Sequence, residues 1–130
     1  MITSFDHVSV PMERVEEMMA FYTALGCRVV EQGRIQAVTF GNNKINFHMP
    51  SLWQDEQFTL RGHTAVPGSG DICFVWDGSQ EDLLSVLEAA NAEVELGPVP
   101  RVGGMNGGST EGTSIYTRDP DNNLIEFIMY

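Results

Sequence analysis

Apolar and polar residues alternate in short runs along this chain, and in two stretches the apolar residues recur at helical spacing instead. Alternation is typical of half-buried β-strands, and the helical spacing is typical of amphipathic helices that cover a sheet. In the first part of the chain the predicted elements are a strand at 5–10, a helix at 15–25, and strands at 27–31, 35–40 and 44–48. The first 48 residues therefore predict a βαβββ module.

The same order of elements begins again after a break. Residues 49–70 are interrupted by glycine and proline, which predicts a connecting loop. Beyond it the pattern predicts a strand at 71–76, a helix capped by Ser79, a strand at 92–96, a Gly- and Pro-rich loop at 97–112, and a hairpin with strands at 113–117 and 124–129. We therefore expect an α+β fold of two tandem βαβββ modules, 1–48 and 71–130, in a single domain spanning 1–130.

Several polar residues interrupt the apolar strands. The period of two places Glu126 on one face of the last strand with Leu124 and Ile128, in otherwise apolar surroundings. A buried charge without a partner is strongly destabilising, so such a carboxylate is paired, solvated in a cavity or bound to a metal. The same alternation places His7 on the face of the first strand that the helix does not cover, and it places Asn46 together with His48 on the fourth strand.

Charge and composition exclude some functions. Seven basic and eighteen acidic residues give a net charge of −11, which would repel a phosphate backbone, so we expect no nucleic-acid partner. No run approaches the ~20 apolar residues that a membrane span requires, and the first residues lack the features of a signal peptide. We therefore expect a cytoplasmic protein with no membrane partner. Cys27 and Cys73 lie in apolar runs without a CxxC pair, which predicts two buried free thiols.

Motifs throughout the chain resemble the vicinal oxygen chelate superfamily, which contains glyoxalase I, the bleomycin and fosfomycin resistance proteins, extradiol dioxygenases and methylmalonyl-CoA epimerase. The similar segments are Asp6-His7-Val8, Phe21-Tyr22, Leu25-Gly26, Gly97-Pro98-Val99, and the run Arg118-Asp119-Pro120-Asp121-Asn122-Asn123-Leu124-Ile125-Glu126. The resemblance implies a homodimer of paired βαβββ modules whose curled sheets form a cup around one divalent metal ion, with the helices outside.

The resemblance also implies a set of metal ligands. His7 matches the ligand of the first strand, Glu126 that of the last, and Asp71 the fifth-strand position, where many relatives carry His or Gln. On the fourth strand Asn46 takes the place of a Glu found in glyoxalase-like members, while His48 lies on the same face of the strand and is the better ligand. Such a site suits Fe²⁺, Mn²⁺, Mg²⁺, Ni²⁺ or Zn²⁺, and these alternatives stay open.

A comparison with the extradiol dioxygenases is more specific. The run 115–126 is similar to their final hairpin, except that Asn122 stands where they carry Gly or Pro. The His that they carry just upstream is replaced here by Gly107, Gly108 and Ser109. Loss of that upstream His, together with the fifth-strand His that is replaced here by Asp71, argues against ring cleavage of a catechol and leaves Tyr116 as a residue that orients a substrate oxygen.

Two classes of function follow. The first is a metalloenzyme, a lyase, isomerase or dioxygenase, in which the cation holds neighbouring oxygens of a small substrate while Glu126 acts as the base and Tyr116 assists. The second is a non-catalytic binder of the bleomycin-resistance type, in which an acidic, aromatic-lined groove holds a cationic ligand, and the net charge of −11 favours it. The expected substrate contacts are Asn46, Trp53, Phe58, Arg101 and Tyr116.

Overall fold

Each half of the chain forms a four-stranded mixed sheet with a helix on one face, in the computed structural model of residues 1–130. The first half contains β1 (His7–Pro11), α1 (Val15–Ala24), β2 (Arg28–Gln32), β3 (Ile35–Phe40) and β4 (Asn43–His48). A short helix, α2 (Pro50–Trp53), follows. The second half contains β5 (Asp71–Val75), α3 (Gln80–Ala89), β6 (Leu96–Val102), the helical turn α4 (Met105–Gly108), β7 (Glu111–Arg118) and β8 (Leu124–Met129). No helix is both long and apolar enough to cross a membrane.

The two sheets repeat one topology. Their strand orders are β1-β4-β3-β2 and β5-β8-β7-β6, and in each the first strand pairs in parallel with the last while the other pairs are antiparallel. This confirms the predicted α+β fold of two tandem βαβββ modules. Within one chain β1 and β5 each pair with a single neighbour, so both strands leave one edge free.

One predicted strand was wrong. Residues 92–95 form no strand, and β6 instead covers Leu96–Val102, within the run predicted as a loop because it contains Pro98 and Pro100. Proline is tolerated here because β6 pairs only with β7, so its other side needs no backbone donors. The pairing with β7 also shifts register between Leu96 and Val99.

The helix-covered faces of the two sheets pack together inside the chain. One core cluster joins α1 to the first sheet and contains Val10, Met12, Met18, Phe21, Tyr22, Val38, Ile45 and Phe47. The second joins α3 to the second sheet and contains Leu83, Leu87, Ile115, Ile125 and Phe127. Phe74 connects them, with its ring centroid 6.5 Å from that of Tyr22 and 5.9 Å from that of Phe127. Because the apolar faces meet here, the opposite faces of both sheets are left for other contacts.

The turn between β7 and β8, residues 119–123, joins the two halves. The Asp121 carboxylate accepts hydrogen bonds from the backbone N–H groups of Glu13 and Arg14, at 2.8 and 2.9 Å, just before α1 begins. Asp119 accepts a hydrogen bond from the Tyr22 hydroxyl at 2.9 Å. The last hairpin of the second module therefore satisfies the free donors at the start of the first module's helix.

Candidate functional site

The open face of the second sheet, opposite α3, carries the two predicted carboxylates. Glu126 on β8 lies directly between Cys73 on β5 and Tyr116 on β7. Asp71 precedes Cys73 by two residues and therefore shares its face. The Ser114 hydroxyl donates to Glu126 Oε1 at 2.5 Å, which fixes the carboxylate. The structure thus brings Asp71 and Glu126 to one surface, and neither forms a salt bridge.

Cys73 also lies on this surface, opposite Glu126, a position that was not predicted from the sequence. The expectation of two buried thiols was wrong, because Cys73 is exposed and Cys27 is only half-buried; both are free. Although the residue is exposed, its sulfur is partly shielded from water, and this desolvation, followed by the negative charges of Glu126 and Asp71, raises the pKa of the Cys73 thiol to about 12. Residues two apart on a strand share a face, so the position of Cys73 beside Asp71 could have been predicted from the sequence.

We expect the Cys73 thiol to react slowly despite its exposure. With a pKa near 12 instead of the ordinary 9.0, its thiolate fraction at neutral pH is roughly a thousandfold smaller than that of a free thiol. The test is the rate of Ellman's reagent reaction in a Cys27→Ser background, where Glu126→Gln should accelerate labelling by removing a neighbouring charge. If folded Cys27→Ser protein were labelled as fast as the same protein unfolded in urea, the expected low reactivity of Cys73 would be contradicted.

Tyr116 and Arg101 extend the same face beyond Glu126. Arg101 Nε donates to the Tyr116 hydroxyl at 3.0 Å, and the guanidinium lies 5.5 Å from the centre of the Tyr116 ring. Arg101 is exposed and Tyr116 half-buried, so both are positioned to contact a ligand on this surface. The structure therefore groups these two predicted substrate contacts with Glu126.

His7 lies on the open face of the first sheet, next to Lys44 in the register of β1 and β4. Its Nδ1 lies 2.6 Å from Asp6 Oδ1, an arrangement common among metal-binding histidines because it leaves Nε2 free and fixes the ring. Within one chain, however, no three His, Cys, Asp or Glu side chains lie close enough together to hold a metal. A single chain therefore does not bring His7 to Asp71 and Glu126.

Asn46 and His48 lie farther along the open face of the first sheet, beneath the segment 50–70. His48 is only 5% exposed, and the Phe58 ring meets it edge-on with centroids 5.3 Å apart. Burial and the nearby charge of Arg61 lower the pKa of His48 below its ordinary 6.5. His48 is thus covered by the segment, away from the carboxylates of the second sheet.

The aromatic residues of this segment also hold Arg61. Its guanidinium carbon lies 5.9 Å from the centre of the Trp53 ring, and Trp53 Nε1 donates to the backbone oxygen of Met12 at 3.0 Å. The predicted contacts Trp53 and Phe58 therefore form an end of the open face with His48. Arg61 was not predicted as a site residue, because it lies in a Gly-rich loop where no periodic pattern indicates the direction of a side chain.

A groove of about 800 Å³ lies on the outside, between α1 and the turn 119–123. Its charged walls include Arg14, which pairs with Glu17 at 3.2 Å, and Arg118, which pairs with Glu95 at 2.7 Å. None of the predicted site residues lines it. Because these charges already have partners, the groove is not the candidate site.

The side chains that could bind a divalent cation are divided between the two sheets. The second sheet presents two carboxylates without a cation, and the first presents an imidazole whose Nε2 is free. Oxygen and imidazole ligands in this combination suit Fe²⁺, Mn²⁺, Ni²⁺ or Zn²⁺, and the carboxylates also suit Mg²⁺. Within one chain these groups lie on separate sheets, so the residues present would hold a metal only if the two open faces were brought together.

Comparisons with known proteins agree with this architecture. The chain is 38% identical over 131 residues to the glyoxalase domain-containing protein RDO1 of Mycosarcoma maydis, covering 99% of this chain and 69% of RDO1. It is 35% identical to virulence protein STM3117 of Salmonella typhimurium, covering 99% of this chain and 85% of that protein. The crystal structure of STM3117 superposes with a TM-score of 0.86 over 100% of this chain and 98% of that one, at 32% identity.

More distant solved structures share the fold. Lactoylglutathione lyase from Agrobacterium tumefaciens is 23% identical with a TM-score of 0.70, covering 98% of this chain and 94% of that one. A mutant of the fosfomycin resistance protein FosX from Listeria monocytogenes, complexed with Mn(II) and 1S,2S-dihydroxypropylphosphonic acid, is 20% identical with a TM-score of 0.66, covering 98% of this chain and 90% of that one. A family profile described as Glyoxalase/Bleomycin resistance protein/Dioxygenase superfamily matches residues 4–127. The chain therefore belongs to the glyoxalase/bleomycin resistance protein/dioxygenase superfamily.

Proposed function

We propose that this protein is a divalent-metal-dependent enzyme that acts on a small organic substrate through neighbouring oxygens, and that each site is built by two copies of the chain. The observation that carries the proposal is the pair Asp71 and Glu126, two carboxylates on one open face without a salt bridge. Two such charges repel each other, so a bound cation would stabilise them.

The free edges support assembly with a second copy. β1 and β5 are both edge strands, and each exposes an apolar side chain, Val8 at 43% and Val75 at 66%. Exposed edges and apolar side chains of this kind are usually covered in a working protein. A second copy with its β1 against β5 would bring its own His7 to the carboxylates, and the two edges would be covered in a symmetric dimer.

Each residue of the proposed site has a role that its contacts suggest. The metal ligands are Asp71 and Glu126 from one copy and His7 from the other, with Asp6 orienting the His7 ring. When bound, the cation would act as a Lewis acid on the neighbouring oxygens of the substrate. Glu126, held by Ser114, is the candidate base.

Two further residues would position the substrate. Tyr116 and Arg101 are joined by a hydrogen bond beside Glu126, and their hydroxyl and guanidinium groups can orient substrate oxygens. His48, predicted as a possible ligand, is covered by Phe58, so we assign it to the substrate end of the face. The reaction is proposed at the level of lyase, isomerase or dioxygenase, since the lactoylglutathione lyase and FosX comparisons support only the fold.

Metal analysis tests this proposal directly. Protein purified without a nickel column and loaded with Mn²⁺, Fe²⁺, Ni²⁺ or Zn²⁺ should retain about one ion per chain after dialysis. His7→Ala should lose that ion while remaining folded, because one ligand of a small set is gone. A His63→Ala protein is the matched control, since His63 is exposed in the segment 50–70 and should retain the metal. Absence of retained metal in every loading would overturn the proposal and favour the non-catalytic binder.

A further inference from the structure

Arg101 is an exposed arginine that is held in one orientation on the open face of the second sheet. Its Nε donates to the Tyr116 hydroxyl at 3.0 Å, and its Nη1 donates to the backbone oxygen of Pro100 at 2.9 Å. The guanidinium carbon also lies 5.5 Å from the centre of the Tyr116 ring. These contacts fix the plane of a side chain that is otherwise free to rotate, so its remaining donors have a defined direction.

Two donors of this pair have no partner within the chain. Arg101 Nη2 makes no hydrogen bond, and the Tyr116 hydroxyl accepts from Arg101 but donates to no other group. In a guanidinium, the Nε–H and one Nη2–H point the same way, so the free Nη2 donor lies beside the Tyr116 hydroxyl. Because Arg101 is exposed and Tyr116 is half-buried, a ligand in solution can reach this pair of donors.

The positive charge of Arg101 has no acidic partner either. Arg101 forms no salt bridge, whereas three other arginines have carboxylate partners between 2.7 and 3.2 Å away. The acidic residue directly opposite Tyr116, Glu126, accepts a hydrogen bond from Ser114 and forms no salt bridge with Arg101. In a chain with a net charge of −11, a fixed and unpaired guanidinium on this face favours an anionic ligand.

We propose that Arg101 Nη2 and the Tyr116 hydroxyl bind a carboxylate of the substrate, with one donor to each of its oxygens. This rests on the proposed function in placing the substrate on the face that carries Asp71 and Glu126. The charges of those two carboxylates and a divalent cation cancel, so Arg101 adds one positive charge, which a single carboxylate neutralises. The substrate class is therefore a small organic acid whose carboxylate is separate from the neighbouring oxygens that the cation holds.

The carboxylate contact is tested with acetate, and acetamide serves as the uncharged analogue of the same shape. Each is titrated into metal-free protein, stripped with a chelating resin, and the Nε–H signal of Arg101 is followed by NMR. The signal is assigned by its loss in Arg101→Gln. We expect acetate to shift it to saturation and acetamide to bind at least about tenfold more weakly, because hydrogen bonds to a charged acceptor are the stronger ones.

Two variants separate the two donors, with binding followed at the backbone amide of Gly112, which lies opposite Arg101. Arg101→Gln should weaken acetate binding by about tenfold or more, because the charged donor is lost. Tyr116→Phe keeps the charge and removes one neutral donor, so it should weaken binding by about fivefold. Arg28→Gln is the matched control, since Arg28 is also exposed and without a salt bridge but lies on the first sheet, and it should not alter the titration.

A second titration asks whether the contact serves a substrate on the metal. In protein loaded with Zn²⁺, malate, which has a second carboxylate, should bind about tenfold more tightly than lactate. Arg101→Gln should remove that preference while retaining the metal. Equal binding of malate and lactate by the metal-loaded parent would overturn the assignment of this carboxylate to the substrate.

The outcomes separate this inference from the proposed function. Acetate binding that is lost in Arg101→Gln, in a protein that retains no metal after any loading, would support the carboxylate contact and overturn only the metal site. Unchanged acetate affinity in Arg101→Gln and Tyr116→Phe, or equal binding of acetate and acetamide, would overturn the inference whatever the metal content. An equal loss in Arg28→Gln would also overturn it, since it would reflect net charge alone.

Discussion

A mixture of His7→Ala and Glu126→Gln proteins is expected to regain metal binding that neither variant shows alone. If each site takes His7 from one copy and Glu126 from the other, a mixed dimer has one site with both native ligands and one with neither. Random reassociation after unfolding and refolding together should therefore restore about a quarter of the parent's metal content. The measurement is metal analysis of the refolded mixture after dialysis, beside each variant refolded alone.

A second mixture provides the control. Asp71 and Glu126 lie on the same sheet of the same chain, so Asp71→Asn and Glu126→Gln damage the same half of every site. Their mixture should show no recovery. Recovery in this control, or none with His7→Ala although mixed dimers form, would contradict a site shared between copies and would require His7 and Glu126 to act apart.

The facing of the site residues was predictable from the sequence, because alternation along a strand is a local property. The period of two placed His7 and Glu126 opposite the helices, and the structure has both on open faces. How the two sheets meet is not local. The chain packs its sheets through Phe74 and the helix-covered faces, and no periodicity indicates whether His7 meets the carboxylates of its own chain or of another.

The misses also have physical causes. β6 was not predicted because Pro98 and Pro100 break the strand pattern, and an edge position that tolerates them depends on the finished sheet. Arg61 was not predicted because it lies in a loop, and only regular strands and helices have a periodic pattern that indicates side-chain direction. Cys73 had the right period, but its residue type suggested burial in the core, and the structure places it beside Glu126 instead.

The long-range contacts of the turn 119–123 could not be predicted from the sequence either. Its sequence predicts a tight turn and nothing more, since Asp, Pro and Asn are typical turn residues. In the structure Asp119 and Asp121 contact Tyr22, Glu13 and Arg14, about a hundred residues earlier in the chain. A motif that identifies the family from sequence is therefore also the main polar connection between its two modules.

Removal of the Asp119 carboxylate is expected to destabilise the protein by about 3–5 kcal/mol, a large share of a typical domain's stability. Asp119 is only 3% exposed and accepts four hydrogen bonds, from the Tyr22 hydroxyl, the Asn123 amide, and the backbone N–H groups of Asp121 and Asn123. Asp119→Ala leaves these buried donors without an acceptor. The measurement is urea unfolding followed by circular dichroism, compared with Tyr22→Phe, which removes a single donor and should lose only about 1 kcal/mol.

The pH dependence gives an independent check on the same group. Burial raises the pKa of Asp119 above its ordinary 3.8, although hydrogen bonds from Asn123 and Tyr22 oppose the shift. The folded state then holds the proton to a higher pH than the unfolded state, so this contribution to stability is fully present below pH 3.8 and is lost as the pH rises through the folded-state pKa. The difference in unfolding free energy between the parent and Asp119→Asn, which does not titrate, should therefore decrease over that interval. A difference that increases with pH would show that the hydrogen bonds outweigh burial, and a loss below about 1 kcal/mol in Asp119→Ala would show that the turn is not the connection between the modules.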